Sequence, residues 1–213
     1  MEFRNLDMND LEEIIALQNA VYDSLGDKEV LETLTKEEFA EIIRQGYIIG
    51  VFKGDVLVAT RSMYIPPADE PEHLADDAGI SGKDRVIYSE ITFIDPSSRG
   101  QGLQTEMGRD LICRVRESGN FDHILTTVMP GNVPSLKDKF RLGFKIVKTT
   151  YKYGGKKRHI MQLDLFDAPA PTGEAENVHF RDTEWMLANS EGYIGDNLTG
   201  EYITYYKKNN HRM

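Results

Sequence analysis

Residues Val86 to Arg116 read VIYSEITFIDPSSRGQGLQTEMGRDLICRVR, and the order of residue types in this stretch decides the fold. β-Branched and aromatic side chains crowd Val86 to Ile94, which predicts a strand, and Asp95-Pro96 ends it. A short polar loop leads to Gly100 and Gly102, after which Leu103, Met107, Leu111, Ile112 and Val115 recur at helical spacing. That spacing predicts a helix with one buried face, leaving Glu106, Arg109, Asp110, Arg114 and Glu117 mostly toward water. The first amides of a helix have no partner inside it, and the helix dipole adds partial positive charge there, worth about 0.3–1 kcal/mol toward an anion. Glycines at that point let a phosphate approach the backbone closely.

Before this stretch, Met1 to Leu6 suits a short edge strand. Asp7 or Asn9 caps a helix over Asp10 to Leu25, closed by Gly26. Thr35 and Glu38 form a capping box for a second helix that runs to Gly46. Residues 47–52 and 56–65 are strand-like runs joined by Lys53-Gly54-Asp55, a hairpin signal. Pro66 to Asp84, rich in proline, glycine and acids, reads as an irregular excursion: a solvated acidic loop, or a substrate lid or interface. Beyond the stretch, Phe121 to Met129 is a strand, so strand, helix and strand imply a parallel pair joined by a right-handed crossover. Asn132 to Leu142 reads as a helix stopped by Gly143, and residues 144–153 and 159–166 as a hairpin turning at Gly154 to Lys157. Asp167 to Gly173 reads as a linker. The tail carries Trp185, Met186 and Leu187, a glycine-punctuated turn (Gly192, Gly195) and a strand-like run from Glu201 to Tyr206, aromatic enough to dock on the main domain. The organisation expected is a domain over residues 1–166 and a docked extension over 167–213.

The chain has 213 residues, with 25 Lys plus Arg against 35 Asp plus Glu, a formal charge of −10. No basic block offsets that balance, which speaks against nucleic acid as a partner. There is no apolar leader at the start and no apolar run of about 18 residues, so a soluble cytoplasmic protein without membrane contact is expected. The single cysteine, Cys113, cannot form an internal disulfide and reads as an inert packing thiol within its helix. Five scattered histidines, with no i, i+4 pair and no cysteine companions, speak against a metal site. The Gly100 to Thr105 run lacks the third glycine of a dinucleotide fingerprint, and no phosphate-binding G-x-x-x-x-G-K-[ST] loop occurs.

Two segments give the chain a family resemblance. The first is Ile94-Asp95-Pro96 followed by Arg99-Gly100-Gln101-Gly102-Leu103-Gln104, against an R/Q-x-x-G-x-G/A motif placed after a strand; Arg99 and Gly102 match, and Gln104 departs from the small residue expected last. The second is a helix with Asn132 and Ser135 that ends in Leu142-Gly143-Phe144. In both, the chain resembles the GCN5-related N-acetyltransferase (GNAT) superfamily. The resemblance covers residues 1–166 and implies an α/β fold: a central, mostly antiparallel sheet with one splayed parallel strand pair, flanked by helices. It implies acetyl-CoA as cosubstrate, lying where the pair splays, often with the help of a β-bulge. On the same basis the backbone of Thr92, Phe93 and Ile94 pairs with the pantetheine arm. The amides of Arg99, Gly100, Gln101, Gly102, Leu103 and Gln104 hold the pyrophosphate, Arg99 adding charge, and Asn132 and Ser135 contact the cofactor.

The chemistry asks independently for a base. A lysine-like amine, with a pKa of about 10.4, is unprotonated in roughly one molecule in two thousand at neutral pH, and only that form attacks a thioester. Glu90 stands where members of the superfamily carry a catalytic Glu, and strict alternation puts it on one strand face with Tyr88 and Thr92. The competing reading is a structural carboxylate. A tyrosine acid is common seven residues after the helix asparagine, but Lys139 stands there; it is a proton donor, a contact for the cofactor's 3′-phosphate, or a solvated lysine. Tyr151 and Tyr153 are substitutes, and the thiolate can also leave unassisted. The function expected is acetyl transfer to a primary amine of a small molecule or peptide, and a homodimer is compatible with it. The alternative is a non-catalytic acyl-CoA-binding or regulatory module of the same fold.

Overall fold

The β-branched runs and the amphipathic segments fall into ten strands and six α-helices among residues 1–28, 31–166 and 173–208, which the computed structural model describes. The first half holds β1 (Glu2–Asn5), α1 (Leu11–Asp23), α2 (Lys36–Gln45), β2 (Ile48–Lys53), β3 (Val56–Tyr64), α3 (Leu74–Ala78) and β4 (Val86–Ile94). Next come α4 (Leu103–Ser118), β5 (His123–Val128), α5 (Val133–Arg141), β6 (Lys145–Lys152) and β7 (Lys156–Asp164). The tail supplies β8 (Ala175–His179), α6 (Thr183–Ala188), β9 (Tyr193–Thr199) and β10 (Tyr202–Lys207). Two compact units result: Met1–Ile65 with Ile87–Asn120, and Pro66–Val86 with Phe121–Met213.

In the first unit β1, β2, β3 and β4 pair antiparallel in that order. Thr35 and Glu38 cap α2 reciprocally, as the capping box predicts, while Asp7 caps a 3₁₀ turn ahead of α1. Leu11, Ile14, Leu17 and Val21 of α1 and Phe39, Ile42 and Ile43 of α2 form one core with Ile48, Phe52, Leu57 and Phe93. The buried face of α4 carries Met107, Leu111 and Val115, as the periodicity predicts. Cys113 departs from expectation: it lies on the exposed side of α4, and its thiol donates to Glu117 Oε1 at 3.3 Å.

In the second unit the order is β5, β7, β6, β9, β10, β8, every neighbouring pair antiparallel. Among the described residues the strand pairings inside each unit are antiparallel, and the chain passes from β4 through α4 to β5. The tail is more regular than its sequence suggests. Gly195, read as part of a turn, lies inside β9 opposite Ile146, where a Cβ would stand 3.0 Å from Tyr205 Cε1 and 3.1 Å from Ile146 Cβ. Glycine is needed there for close approach, not for turning. Residues 167–172 of the expected linker lie outside the described residues.

The acidic excursion also differs from a solvated loop. It contains α3, and it is pinned to β6: Lys152, 6 % exposed, donates through Nζ to Glu72 O at 2.7 Å and Asp77 Oδ2 at 2.9 Å. Lys148 lies 3.9 Å from the Asp77 carboxylate and 3.0 Å from that of Glu191. His73, fully buried, caps α3 by accepting from Ala75 N at 3.1 Å. Burial and, after it, the neighbouring Lys83 hold its imidazole below the ordinary histidine range.

Candidate functional site

Strand β4 carries an irregularity that the alternation of its sequence does not reveal. Arg61 pairs with Thr92 and Met63 with Ser89, so Glu90 and Ile91 together oppose Ser62 alone. That is a β-bulge, and it reverses the facing of everything beyond it. Tyr88 shares a face with its partner Tyr64, which packs against the α1–α2 core, whereas Thr92 shares a face with Arg61, which reaches α4. Tyr88 and Thr92 therefore face opposite ways, and the single face expected for Tyr88, Glu90 and Thr92 does not exist. Glu90 is exposed at the bulge. Phe93 is fully buried in the core, with Ile91 packed against the same cluster.

The chain leaves β4 through a 3₁₀ turn, Pro96–Ser98, which Asp95 caps by accepting from Ser97 N at 2.9 Å. Hydrogen bonds from the Ser97 hydroxyl and amide hold the Asp95 carboxyl below the usual carboxylate range. Gly100 and Gly102 both take left-handed backbone angles, φ +77°, and a Cβ at either would meet nothing within 4 Å. The glycines are thus required by conformation rather than by space. Between them they turn the backbone into α4, whose N-cap is Gly102 and which has no side-chain cap. Among the described residues no acceptor is paired with the backbone N–H groups of residues 99–104, while Thr105 N and Glu106 N bond to Gly102 O at 3.1 Å each. Six consecutive N–H groups around two left-handed glycines at a helix start form a concavity of the kind that suits an anion.

Two side chains brace this loop, and neither role is legible in the sequence. Arg61, 1 % exposed, donates through Nη1 to Gln104 O at 2.7 Å and through Nη2 to Ser89 Oγ at 3.3 Å. Ser24, at the C-cap of α1, accepts from Arg99 Nη2 at 3.1 Å. An arginine inside an alternating strand looks like an outward-facing residue, and contacts spanning 43 and 75 residues leave no local pattern.

The remaining candidates belong to the second unit. Asn132 is the N-cap of α5, its Oδ1 accepting from Ser135 N at 3.2 Å, so both residues of the helix motif have a structural task. Lys139 is not a solvated lysine: it is 6 % exposed, with Nζ 5.3 Å from the centroid of the Phe144 ring. Tyr151 and Tyr153 are exposed at the β6–β7 turn, and the Tyr153 hydroxyl lies 3.4 Å from Thr127 Oγ1. No group of three or more His, Cys, Asp or Glu that could hold a metal occurs among the described residues.

No protein-family model and no curated protein sequence matches the chain. Solved structures do match in fold. The yncA protein of Salmonella typhimurium, solved with its cofactor acetyl-CoA, aligns over 82 % of this chain and 99 % of its own, with TM-score 0.58 and 18 % identity. An N-acetyltransferase of Staphylococcus aureus Mu50 aligns over 78 % of this chain and 98 % of its own, with TM-score 0.59 and 19 % identity. The Drosophila melanogaster polyamine N-acetyltransferase, which forms N-acetylagmatine, aligns over 76 % of this chain and 99 % of its own, with TM-score 0.58 and 18 % identity.

The chain has the GNAT fold. The GNAT fold accounts for the α/β class, with its mostly antiparallel strands and flanking helices. No helix among the described residues is long and apolar enough to cross a membrane.

Proposed function

We propose that the protein is an acetyl-CoA-dependent N-acetyltransferase acting on a primary amine. The observation that carries this reading is the run of N–H groups at residues 99–104, shaped by Gly100 and Gly102 at the start of α4 and lacking an internal acceptor. A pyrophosphate supplies the negatively charged acceptors such a concavity favours. Arg99, exposed beside it, adds charge. The backbone of Thr92, Phe93 and Ile94 is assigned to the pantetheine arm, and the bulge at Glu90 and Ile91 marks where β4 departs from regular pairing.

The transfer forms a bond between the amine nitrogen and the acetyl carbon and breaks the bond from that carbon to sulfur. The attacking amine gives up a proton, and Glu90 is the proposed acceptor, directly or through one water. It stands exposed at the bulge, where a substrate can reach it. The CoA sulfur leaves as a thiolate and takes its proton from solvent. The acceptor class is a primary amine, the kind of group acetylated by the Drosophila polyamine enzyme whose fold this chain shares.

Calorimetric titration with acetyl-CoA, followed by a screen of polyamines, aminoglycosides and peptides for release of CoA, tests the proposal. Binding with turnover on at least one amine supports it. Binding without turnover on any acceptor favours the non-catalytic module, and absence of binding at micromolar concentrations overturns both.

A further inference from the structure

We infer that Arg61 is the positioning residue of the anion concavity, setting affinity for the pyrophosphate of CoA from beneath α4. The inference rests on the acetyl-CoA reading and extends it to a residue that does not touch the ligand. Among the described residues Arg61 is the largest fully buried side chain. Its planar guanidinium fork can serve two acceptors held in fixed directions. One acceptor is Gln104 O, in the first turn of α4; the other is Ser89 Oγ, on β4 just before the bulge.

Three elements meet at this side chain. Its backbone is in β3, paired with Thr92 of β4, and its head group holds the first turn of α4. Any rotation of that turn changes where the amides of Leu103 and Gln104 point, so the 2.7 Å bond to Gln104 O fixes the direction of the concavity. The bond uses the main chain of Gln104 and leaves its side chain out of the contact. A buried charge is a poor choice for stability alone, since an apolar side chain of similar volume would join β3 to α4 at lower desolvation cost. Under a helix start, the same fork holds the carbonyl of the first turn and so keeps the N–H groups there in one direction.

The test compares wild type, Arg61→Met and Arg61→Lys for binding of CoA and of pantetheine, which lacks the pyrophosphate, by calorimetry and ligand-observed NMR. Loss of a buried charged donor predicts a CoA Kd raised about 10- to 100-fold in Arg61→Met. Arg61→Lys keeps the charge but not the fork, and a rise of about fivefold is expected. Pantetheine affinity should stay within about twofold in both variants, because its binding does not engage the concavity. CoA affinity unchanged in both variants overturns the inference, as does weakening of CoA and pantetheine in equal proportion, the mark of a merely structural role. If Arg61→Met does not fold, Arg61→Lys carries the test by the same two criteria. A wild-type protein that binds no CoA overturns the acetyl-CoA reading itself, whereas wild-type binding with insensitive variants sinks only Arg61.

Discussion

Glu90 occupies the one place in β4 where two residues oppose a single partner. A base at that point matters most when the amine is protonated, so Glu90→Gln should lower the rate at neutral pH about 10²- to 10⁴-fold and lose much less near pH 10. A pH–rate profile with the same shape in both proteins would remove Glu90 from the mechanism. At Gly102 the demand is on the backbone. A Cβ has room but φ is +77°, so Gly102→Ala should cost about 1 kcal/mol in denaturant unfolding. Gly102→Asp adds a negative charge beside the concavity and should abolish CoA binding while the chain stays folded. Retained affinity in a folded Gly102→Asp would show that the anion binds elsewhere. Both glycines could be read from the sequence, because they follow a strand and precede an amphipathic helix. The facing of Glu90 could not, since a bulge inserts a residue without changing the residue types that surround it.

The elements read most clearly where local chemistry determines them. The capping box at Thr35 and Glu38, and the three-and-four spacing of α4, specify their helices without help from distant residues. The tail was less legible because Gly195 signals a turn by type, and only the proximity of Tyr205 and Ile146 explains it as part of a strand. Gly195→Val should therefore overpack that crossing and cost about 1–3 kcal/mol, measured by chemical denaturation. The acidic excursion was misleading for a related reason: its partners, Lys148 and Lys152, lie some 75 positions further along the chain. Asp77→Asn leaves the buried Lys152 ammonium with a weaker partner, Glu72 remaining 3.6 Å away. A loss of about 2–3 kcal/mol is expected, and a loss below about 0.5 kcal/mol would show that the ion pair contributes nothing to the fold.

For the molecule as a whole, two buried imidazoles contribute to how stability responds to acid. His159 is fully buried beside Thr149 Oγ1, at 2.9 Å, and burial pushes its pKa down to about 3; His73 is lowered as well. Unfolded, a histidine binds a proton below about pH 6.5. Between that value and about 3 the unfolded chain holds one more proton at His159 than the folded chain, so acid favours unfolding. The contribution is complete above about pH 6.5 and is lost progressively toward pH 3, at up to about 1.4 kcal/mol per pH unit. A Tm measured from pH 7 down to 4 should fall accordingly, and His159→Gln should flatten the slope; an equally steep slope in the variant would assign the acid sensitivity to other groups.

The exposed thiol of Cys113 bears on how such a protein is assayed. Any reagent that detects CoA release by its free sulfhydryl will also titrate one equivalent per chain from this side chain, although the hydrogen bond to Glu117 raises its pKa and slows that background. The same side chain offers a single attachment point for a fluorophore. It lies on the solvent side of α4, ten residues from Leu103, or about 15 Å of helix at about 1.5 Å per residue. A dye there is far enough from the glycine loop to leave it undisturbed and close enough to report its occupancy.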